Sequence, residues 1–494
     1  MRNTMRIGLS NPWLAGLFAL LLVLAGLVLF YMRLYPVMLL PFLLVGAYFV
    51  IYYPKPLLVF LVFATPLSFS FENLTGFGGI GFYFPTEPML LGLMLLYIVK
   101  LAAGMRESKD LMRHPLTIAI LINLTWIAIT AIASTMPVVS LKFLLSRLWF
   151  VLVIYFMMNH FFKDEKFIYK FIRVFIYGMT IAIIHTVHVH WKNGFSESAA
   201  HWAMWPFFKD HTSYGAIIAL FYPMVLYMLY KSKKLTLNQL LNFAIFIVFT
   251  VGLILSYTRA AWVSLAGAVA IWVLIKMRID FKVVLLGGLI LTGFYFGFED
   301  QIMHKLESNR QDSSGDIGEH IQSITNISSD ASNLERLNRW NSAIRMFEEK
   351  PLLGFGPGTY MFTYARFQKS SDRTIISTNY GDGGNAHSEY LGPLSEQGLP
   401  GALSILVIFI ISLVTGIRLY YQLDHNPYLK GVVLCIVLGL VTYYLHGLLN
   451  NYLDTDKASV PVWGMMSMLV AIQLYHLRDK AYLNRQQSSA VSSK

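Results

Sequence analysis

Residues 14–30 read LAGLFALLLVLAGLVLF, a run that is apolar on every side. A membrane β-barrel would instead be written in alternating segments of about ten residues. An unbroken apolar run is a helix in lipid, because there every backbone amide must find its partner within its own segment. The same signal recurs along the chain. With this first helix taken as 13–31, further spans are expected at about 34–53, 55–70, 86–103, 115–133, 138–160, 167–190, 211–230, 239–257, 259–276, 282–298, 388–417, 429–449 and 460–476. The fold class is therefore an all-α polytopic membrane protein of about 14 transmembrane helices. The first run is longer than a signal-peptide core and lacks a clear small-x-small exit, so it reads as a retained helix.

Composition agrees. Of 494 residues, 56% are hydrophobic and 13% charged, and the mean hydropathy of +0.55 lies outside the range of soluble domains. A formal net charge of +12 would suggest nucleic-acid binding in a soluble chain. Here the positions of the charges argue for topology instead. Lys and Arg concentrate in GMRESKDLMRH (104–114), KDEK (163–166), KSKK (231–234), KMRIDFK (276–282) and the tail from residue 476, all on one side if the N-terminus is cytoplasmic. Membrane lipid is thus an expected partner and nucleic acid is not. Cys435, the one cysteine, lies inside an apolar run, which excludes an intrachain disulfide and a cysteine metal cluster.

This orientation places residues 71–85, 191–210, 299–387 and 450–459 outside and divides the chain into N-terminal membrane helices (1–298), one large outer loop (299–387) and C-terminal helices with a cytoplasmic tail (388–494). Within the loop, 307–333 is polar and poor in aromatics, the composition of loosely packed chain. LERLNRWNSAIRMFEE (334–349) then aligns Arg336, Trp340, Ala343 and Phe347 on one helical face, with Asn333 as N-cap and Pro351 past the end. Such a helix is expected at the membrane surface with Trp340 among headgroups. PLLGFGPGTY (351–360) marks a tight turn.

Three charged or titratable residues at the outer side are candidates for chemistry. Arg259 lies in LSYTRAAW, Arg336 starts the loop helix with Arg339 beside it, and His387 precedes the next membrane helix. Each has a plainer reading, as a snorkelling arginine, a solvated charge or a structural histidine. Together they suit displacement of an anionic phosphate leaving group by a hydroxyl, since guanidinium groups hold phosphate oxygens while a neutral imidazole accepts a proton near neutral pH. Other groups are weaker. His185, His188 and His190 are spaced off a single helical face, so structural roles are favoured over a metal site. Asp454 and Asp456 form a D-x-D that could hold a divalent cation under a diphosphate, but with Lys457 next to it a solvated turn is favoured. Lys209 and His211 at an outer helix start either touch substrate or flank a cap at Asp210. Arg147 and Arg173 are close enough to helix ends to snorkel.

Three segments, in order, resemble the O-antigen ligase and O-antigen polymerase superfamily of bacterial inner-membrane glycosyltransferases, whose architecture is GT-C-like. LILSYTRAAW (253–262) is similar to its Ser/Thr-Arg-small-small element, ERLNRWNSAIRMFEEKPLLGFGPGTY (335–360) to its Arg-x-x-x-Trp helix and Pro-x-x-Gly-x-Gly turn, and NAHSEYLGPLSEQGLPG (385–401) to its histidine-containing segment. The resemblance implies Arg259, Arg336 and His387 as catalytic residues, with Arg339, Trp340, Lys209 and His211 as candidates for substrate binding. It implies transfer of a glycan from an undecaprenyl-diphosphate carrier to an acceptor hydroxyl at the periplasmic face, with inversion and without metal or other cofactor. The acceptor would be lipid A-core in a ligase, a lipid-linked repeat in a polymerase, or a protein hydroxyl. Ser388 stands where asparagine is commoner, and DHTSYG (210–215) matches its counterpart only loosely. A lipid or glycolipid transporter is the alternative of a different class, although no paired broken helices mark one.

Overall fold

A computed structural model describes residues 40–70, 83–278, 331–374, 377 and 384–477. The expected spans at 13–31 and 282–298, and nearly all of the polar stretch 307–333, lie outside the described residues. Within them the chain is helical apart from one two-residue antiparallel pair, β1 (Phe69–Ser70) with β2 (Tyr83–Phe84). The helices are α1 (Leu40–Tyr52), α2 (Pro54–Ala64), α3 (Thr86–Ala102), α4 (Pro115–Ile132), α5 (Pro137–Trp149, continued by a π-helical stretch and a last turn to Phe161) and α6 (Glu165–Lys192). Then follow α7 (His211–Lys231), α8 (Leu237–Ile254), α9 (Arg259–Lys276), α10 (Ala331–Glu349), α11 (Leu391–Gln422), α12 (Pro427–His446) and α13 (Asp456–Ala471, extended to His476).

Local sequence explains the boundaries. Proline opens α2, α4, α5 and α12 at a position whose amide needs no intrahelical partner. Asp164, Asp210, Thr236 and Asn426 cap α6, α7, α8 and α12 through their side-chain oxygens. Among the described residues nine helices, α4 to α9 and α11 to α13, are long and apolar enough to cross a membrane. The two spans expected at 34–53 and 55–70 are corrected: the chain bends by 111° between Val45–Tyr52 and Pro54–Leu67. Pro54 cannot continue the hydrogen-bond ladder of α1, and the break falls there.

Antiparallel neighbours sort the helix ends. At one end Tyr421 donates to the carbonyl of Ile275 and Tyr227 to that of Tyr428, amid Lys231, Lys233, Lys234, Lys276 and Arg278. The other end gathers the starts of α7, α9, α11 and α13 with the end of α12. The main core is an apolar cluster in which α13 is almost wholly enclosed, and a smaller one of Ala343, Met346, Phe355, Tyr360, Tyr364 and Ala386 lies under α10. Packing of α12 on α7 is close enough that a Cβ on Gly439 would stand 2.5 Å from the carbonyl oxygen of Leu220, and Cys435 donates its thiol to the carbonyl of Pro223 across the same seam.

Candidate active site

The loop helix α10 is the element that organises the end opposite the lysines. Its buried face is Glu335, Asn338, Arg339, Ser342, Ala343 and Met346, a true i, i+3, i+4, i+7 stripe whose first turns are polar. The expected face of Arg336, Trp340, Ala343 and Phe347 is thus rotated by about one position, and the rotated face packs on protein. Periodicity of apolar residues could not find a stripe that is mostly polar. Asn333 lies inside the helix rather than at its cap, because helical backbone begins at least as early as Ala331. Arg339 is committed on three sides. Its Nε donates to Glu335 Oε1 at 2.8 Å, one terminal nitrogen donates to the carbonyl of Asn385 at 3.2 Å, and the guanidinium lies 5.3 Å above the Tyr364 ring. Burial alone would raise the Glu335 carboxyl, but hydrogen bonds from Ser377 and Arg339 bring it below the usual carboxylate range.

The glycine-rich turn after α10 is a plug in the bundle. The carbonyl of Phe355 accepts from the backbone amide (2.9 Å) and hydroxyl (2.8 Å) of Thr135, while the amide of Gly356 donates to the carbonyl of Glu396 at 2.8 Å. Leu399 N–H in turn donates to the carbonyl of Pro351 at 2.9 Å, at a break in α11 where Gly398 takes φ 68°. The break therefore belongs to the plug, which docks α10 against α4, α5 and α11.

His387 stands on the irregular segment that precedes α11. Its φ of 47° is the left-handed region, uncommon for a residue with a side chain. The Asn385 side chain accepts the His387 amide at 3.1 Å, a local turn that holds this conformation. Trp340 donates its indole N–H to the His387 carbonyl at 3.4 Å, which ties Trp340 to the His387 segment. Ser388 accepts from the amides of Tyr390 and Leu391, both at 3.3 Å, so it serves the start of α11. The imidazole is half-buried, and its Nδ1 stands 3.3 Å from Asn450 Oδ1. Burial, then the charges of Arg339 and Arg336, push its pKa down to about 4, against the opposing pull of Asn450 and Asp210.

Asn450 is held in place by Glu389. That carboxylate accepts from the Tyr443 hydroxyl at 2.6 Å and from the amides of Tyr452 and Leu453 at 2.7 and 2.9 Å, and the Glu389 amide donates to Gly447 O at 2.8 Å. The turn after α12 is thereby fastened to the residue two past His387. From the α7 side, Thr212 shares a hydrogen bond with the Tyr452 hydroxyl. The charges of Arg336 and Asp210 both act on His387, His446, His211 and Tyr452, so these groups share one neighbourhood drawn from α10, the start of α7, the end of α12 and the segment before α11.

The remaining candidates are placed as follows. Arg259 begins α9, one residue after Thr258, whose hydroxyl donates to the His211 carbonyl at 2.8 Å; Arg259 is therefore at the same end, on the α7 side of the cluster. His211 lies against His201, with their Nδ1 atoms 3.1 Å apart. Lys209 is exposed, and Asp210 next to it is the α7 cap. The other histidines diverge: His185 packs on Phe207, His188 on Trp191, and His190 Nε2 donates to the Ser196 carbonyl at 2.9 Å. Only the Asp454 end of the D-x-D is solvated, its side chain 48% exposed. Asp456 is buried and accepts from Thr86 and Ser68, Lys457 donates to the carbonyls of Thr65 and Ser68 at 2.6 Å, and Asp454 pairs with Arg147 at 3.4 Å. Arg147 is likewise buried, over the rings of Phe143 and Trp463, rather than reaching for headgroups. Glu389 and Asn450 escape a sequence reading because their partners are distant in the chain, and Asn385 and His446 because their short-range contacts gain meaning only beside those partners.

A search of curated proteins finds no match to this chain. Residues 243–406, which run from α8 to the middle of α11 and contain Arg259, Arg336, Arg339, Trp340 and His387, match the family model described as O-antigen ligase. The chain carries a domain of the O-antigen ligase-like superfamily in a helical membrane protein, and glycan transfer of the ligase or polymerase type is the activity that this family implies.

Proposed function

We propose that this protein transfers a glycan from an undecaprenyl-diphosphate carrier to an acceptor hydroxyl at the periplasmic face of the bacterial inner membrane, most specifically to lipid A-core. The observation that carries the reading is the neutral, half-buried imidazole of His387 beside the charge of Arg336 at one end of the bundle. Nε2 of His387 takes the acceptor hydroxyl proton as the acceptor oxygen attacks the anomeric carbon. The bond from that carbon to the diphosphate oxygen breaks, and its electron pair leaves with the diphosphate, where Arg336 and Arg259 stabilise the growing charge. A single displacement inverts the anomeric carbon. Lys209, beside the α7 cap, extends the cationic side toward the carrier, and His211 adds a hydrogen-bonding imidazole there. Trp340 and Arg339 hold the His387 segment and serve the substrate by positioning rather than by an open hydrogen-bonding fork. The step needs no metal, since the arginines supply the positive charge.

The test is His387→Ala in cells lacking the native gene product. Transfer should fall by about 10²–10⁴-fold with normal protein level and membrane insertion; transfer at the native rate removes His387 from the reaction. Lipopolysaccharide gels of the deletion strain discriminate the acceptor: unattached lipid-linked polymer identifies a ligase, core bearing one repeat a polymerase, and neither defect a protein acceptor or a transporter.

A further inference from the structure

His387 does not face its partner alone. Asn450 lies between two histidines, with Oδ1 3.3 Å from Nδ1 of His387 and Nδ2 3.3 Å from Nε2 of His446. Asn450 and His446 are both 2% exposed. Nδ1 of His446 is buried and has no hydrogen-bond partner among the described residues.

A primary amide offers an acceptor on one side and a donor on the other, so it cannot serve two imidazoles independently. With the oxygen toward His387, that ring carries its proton on Nδ1 and leaves the lone pair on Nε2; the amide N–H then requires His446 to accept at Nε2 and to carry its own proton on Nδ1. Turning the amide over reverses both: His387 would be protonated on Nε2, where a base must be empty. The two tautomers are locked to each other through one side chain. Charges around His387 are Arg336 and Arg339 from α10 and Asp210 ahead of α7, while Glu389 is turned away into the amides of Tyr452 and Leu453. None of those charged groups selects between the two ring nitrogens by a hydrogen bond to Nδ1; Asn450 does.

We propose that Asn450 is a positioning residue that fixes the tautomer of His387 by holding a proton on its Nδ1, and that His446 is coupled to this choice through the same amide. The inference rests on the glycan-transfer reading, in which Nε2 of His387 is the base. It extends the site to α12 and the turn beyond it, which lie outside the family match at 243–406.

The experiment uses the full-length protein in lipid nanodiscs with undecaprenyl-diphosphate-linked glycan and lipid A-core, from about pH 4 to 9. Asn450→Asp keeps size and places a charged acceptor on Nδ1, so the acid limb of the rate profile should move up by about one pH unit or more. Asn450→Ala should lower kcat by about tenfold or more, part of what a general base supplies, with KM for the lipid donor nearly unchanged. His446→Gln can still accept the amide proton and should keep near-native rates, whereas His446→Leu should fall to the level of Asn450→Ala. A second readout needs no substrate: carbethoxylation of His387 by diethyl pyrocarbonate, followed by mass spectrometry against pH, reports the free imidazole, and its midpoint should rise in Asn450→Asp. If His387→Ala is inactive while the Asn450 and His446 variants keep the native profile, midpoint and rate within about twofold, the inference is wrong and the transfer reading stands. If His387→Ala transfers normally, the reading itself falls, and an unmoved carbethoxylation midpoint in Asn450→Asp would separately remove the coupling.

Discussion

At the scale of single residues, the site depends on keeping one imidazole uncharged beside two guanidinium groups. His387 titrates at about 4 against an ordinary value of about 6.5, so at neutral pH it is already the free base. Rates of transfer should hold as pH is lowered through about 6.5 and fall only near 4, unlike a solvent-exposed histidine. The stability consequence has a definite sign. Below about 6.5 the unfolded chain binds a proton at His387 that the folded chain refuses, so this contribution is complete above that pH and is lost as pH falls toward 4. Arg336→Gln removes one of the charges that depress His387; its acid limb should shift upward while the maximal rate drops by about 10²–10³-fold, the usual cost of an electrostatic stabiliser. A pH series of initial rates for the two proteins checks both. Arg339 illustrates a different use of the same chemistry. Lysine in its place keeps the charge but cannot reach Glu335 and the Asn385 carbonyl together, and leaves Glu335 buried with fewer donors. Arg339→Lys should cost about 1–3 kcal/mol in thermal unfolding, and slow transfer by releasing the segment that carries His387.

Elements, rather than residues, explain why the site forms at this end. The plug after α10 docks into three helices through backbone groups, and its glycines are required by space as much as by conformation. Gly356 has φ 114°, and a Cβ there would stand 1.9 Å from Ser134 Oγ, itself hydrogen-bonded to Ser140 at 2.7 Å. Neither the backbone nor that hydroxyl pair can give way independently. Gly356→Ala should therefore destabilise by about 1–3 kcal/mol from overpacking and by a similar amount from strain, and the measurable outcome is a lowered unfolding temperature together with protease cleavage between α10 and α11. The same element shows the limit of pattern reading. GFGPG announces a turn in one dimension, but its partners Thr135, Ser140 and Glu396 are named only by the fold, and the break in α11 at Gly398 is invisible until Pro351 and Leu352 are seen to fill it. Likewise the polar stripe of α10 reads as a solvent face until Gln368 and Ser377 are found bonding to it.

For the molecule as a whole, what the sequence discloses is set by which solvent each residue meets. Lipid-facing helices declare themselves through run length, and the expected spans from 115 onward fall on α4 to α9 and α11 to α13 to within a few residues, apart from 282–298. The charges at the bundle ends are less legible, because Arg147, Asp456 and Lys457 are enclosed by protein where a sequence suggests water or headgroups. His446 and Asn450 are least legible, since four residues of spacing at a helix end is unremarkable without His387 opposite. One global property follows from the sorting of helix ends and can be tested directly. In the proposed orientation, the one that positive-inside bias favours, Lys231, Lys233 and Lys234 are cytoplasmic and the α10 plug, across the bundle, is periplasmic. Cys435 is buried and its thiol bonded within α12 and α7, so Cys435→Ala yields a cysteine-free chain at modest cost. Into this background go Leu352→Cys, at a residue 69% exposed beside the plug, or Lys234→Cys, exposed between α7 and α8. In cells with a permeabilised outer membrane and intact inner membrane, a membrane-impermeant maleimide should label the cysteine at 352 and spare the one at 234 until the inner membrane is opened with detergent. The reverse pattern would put His387 and Arg336 in the cytoplasm, where a periplasmic acceptor cannot reach them, and the proposed reaction would lose its substrate.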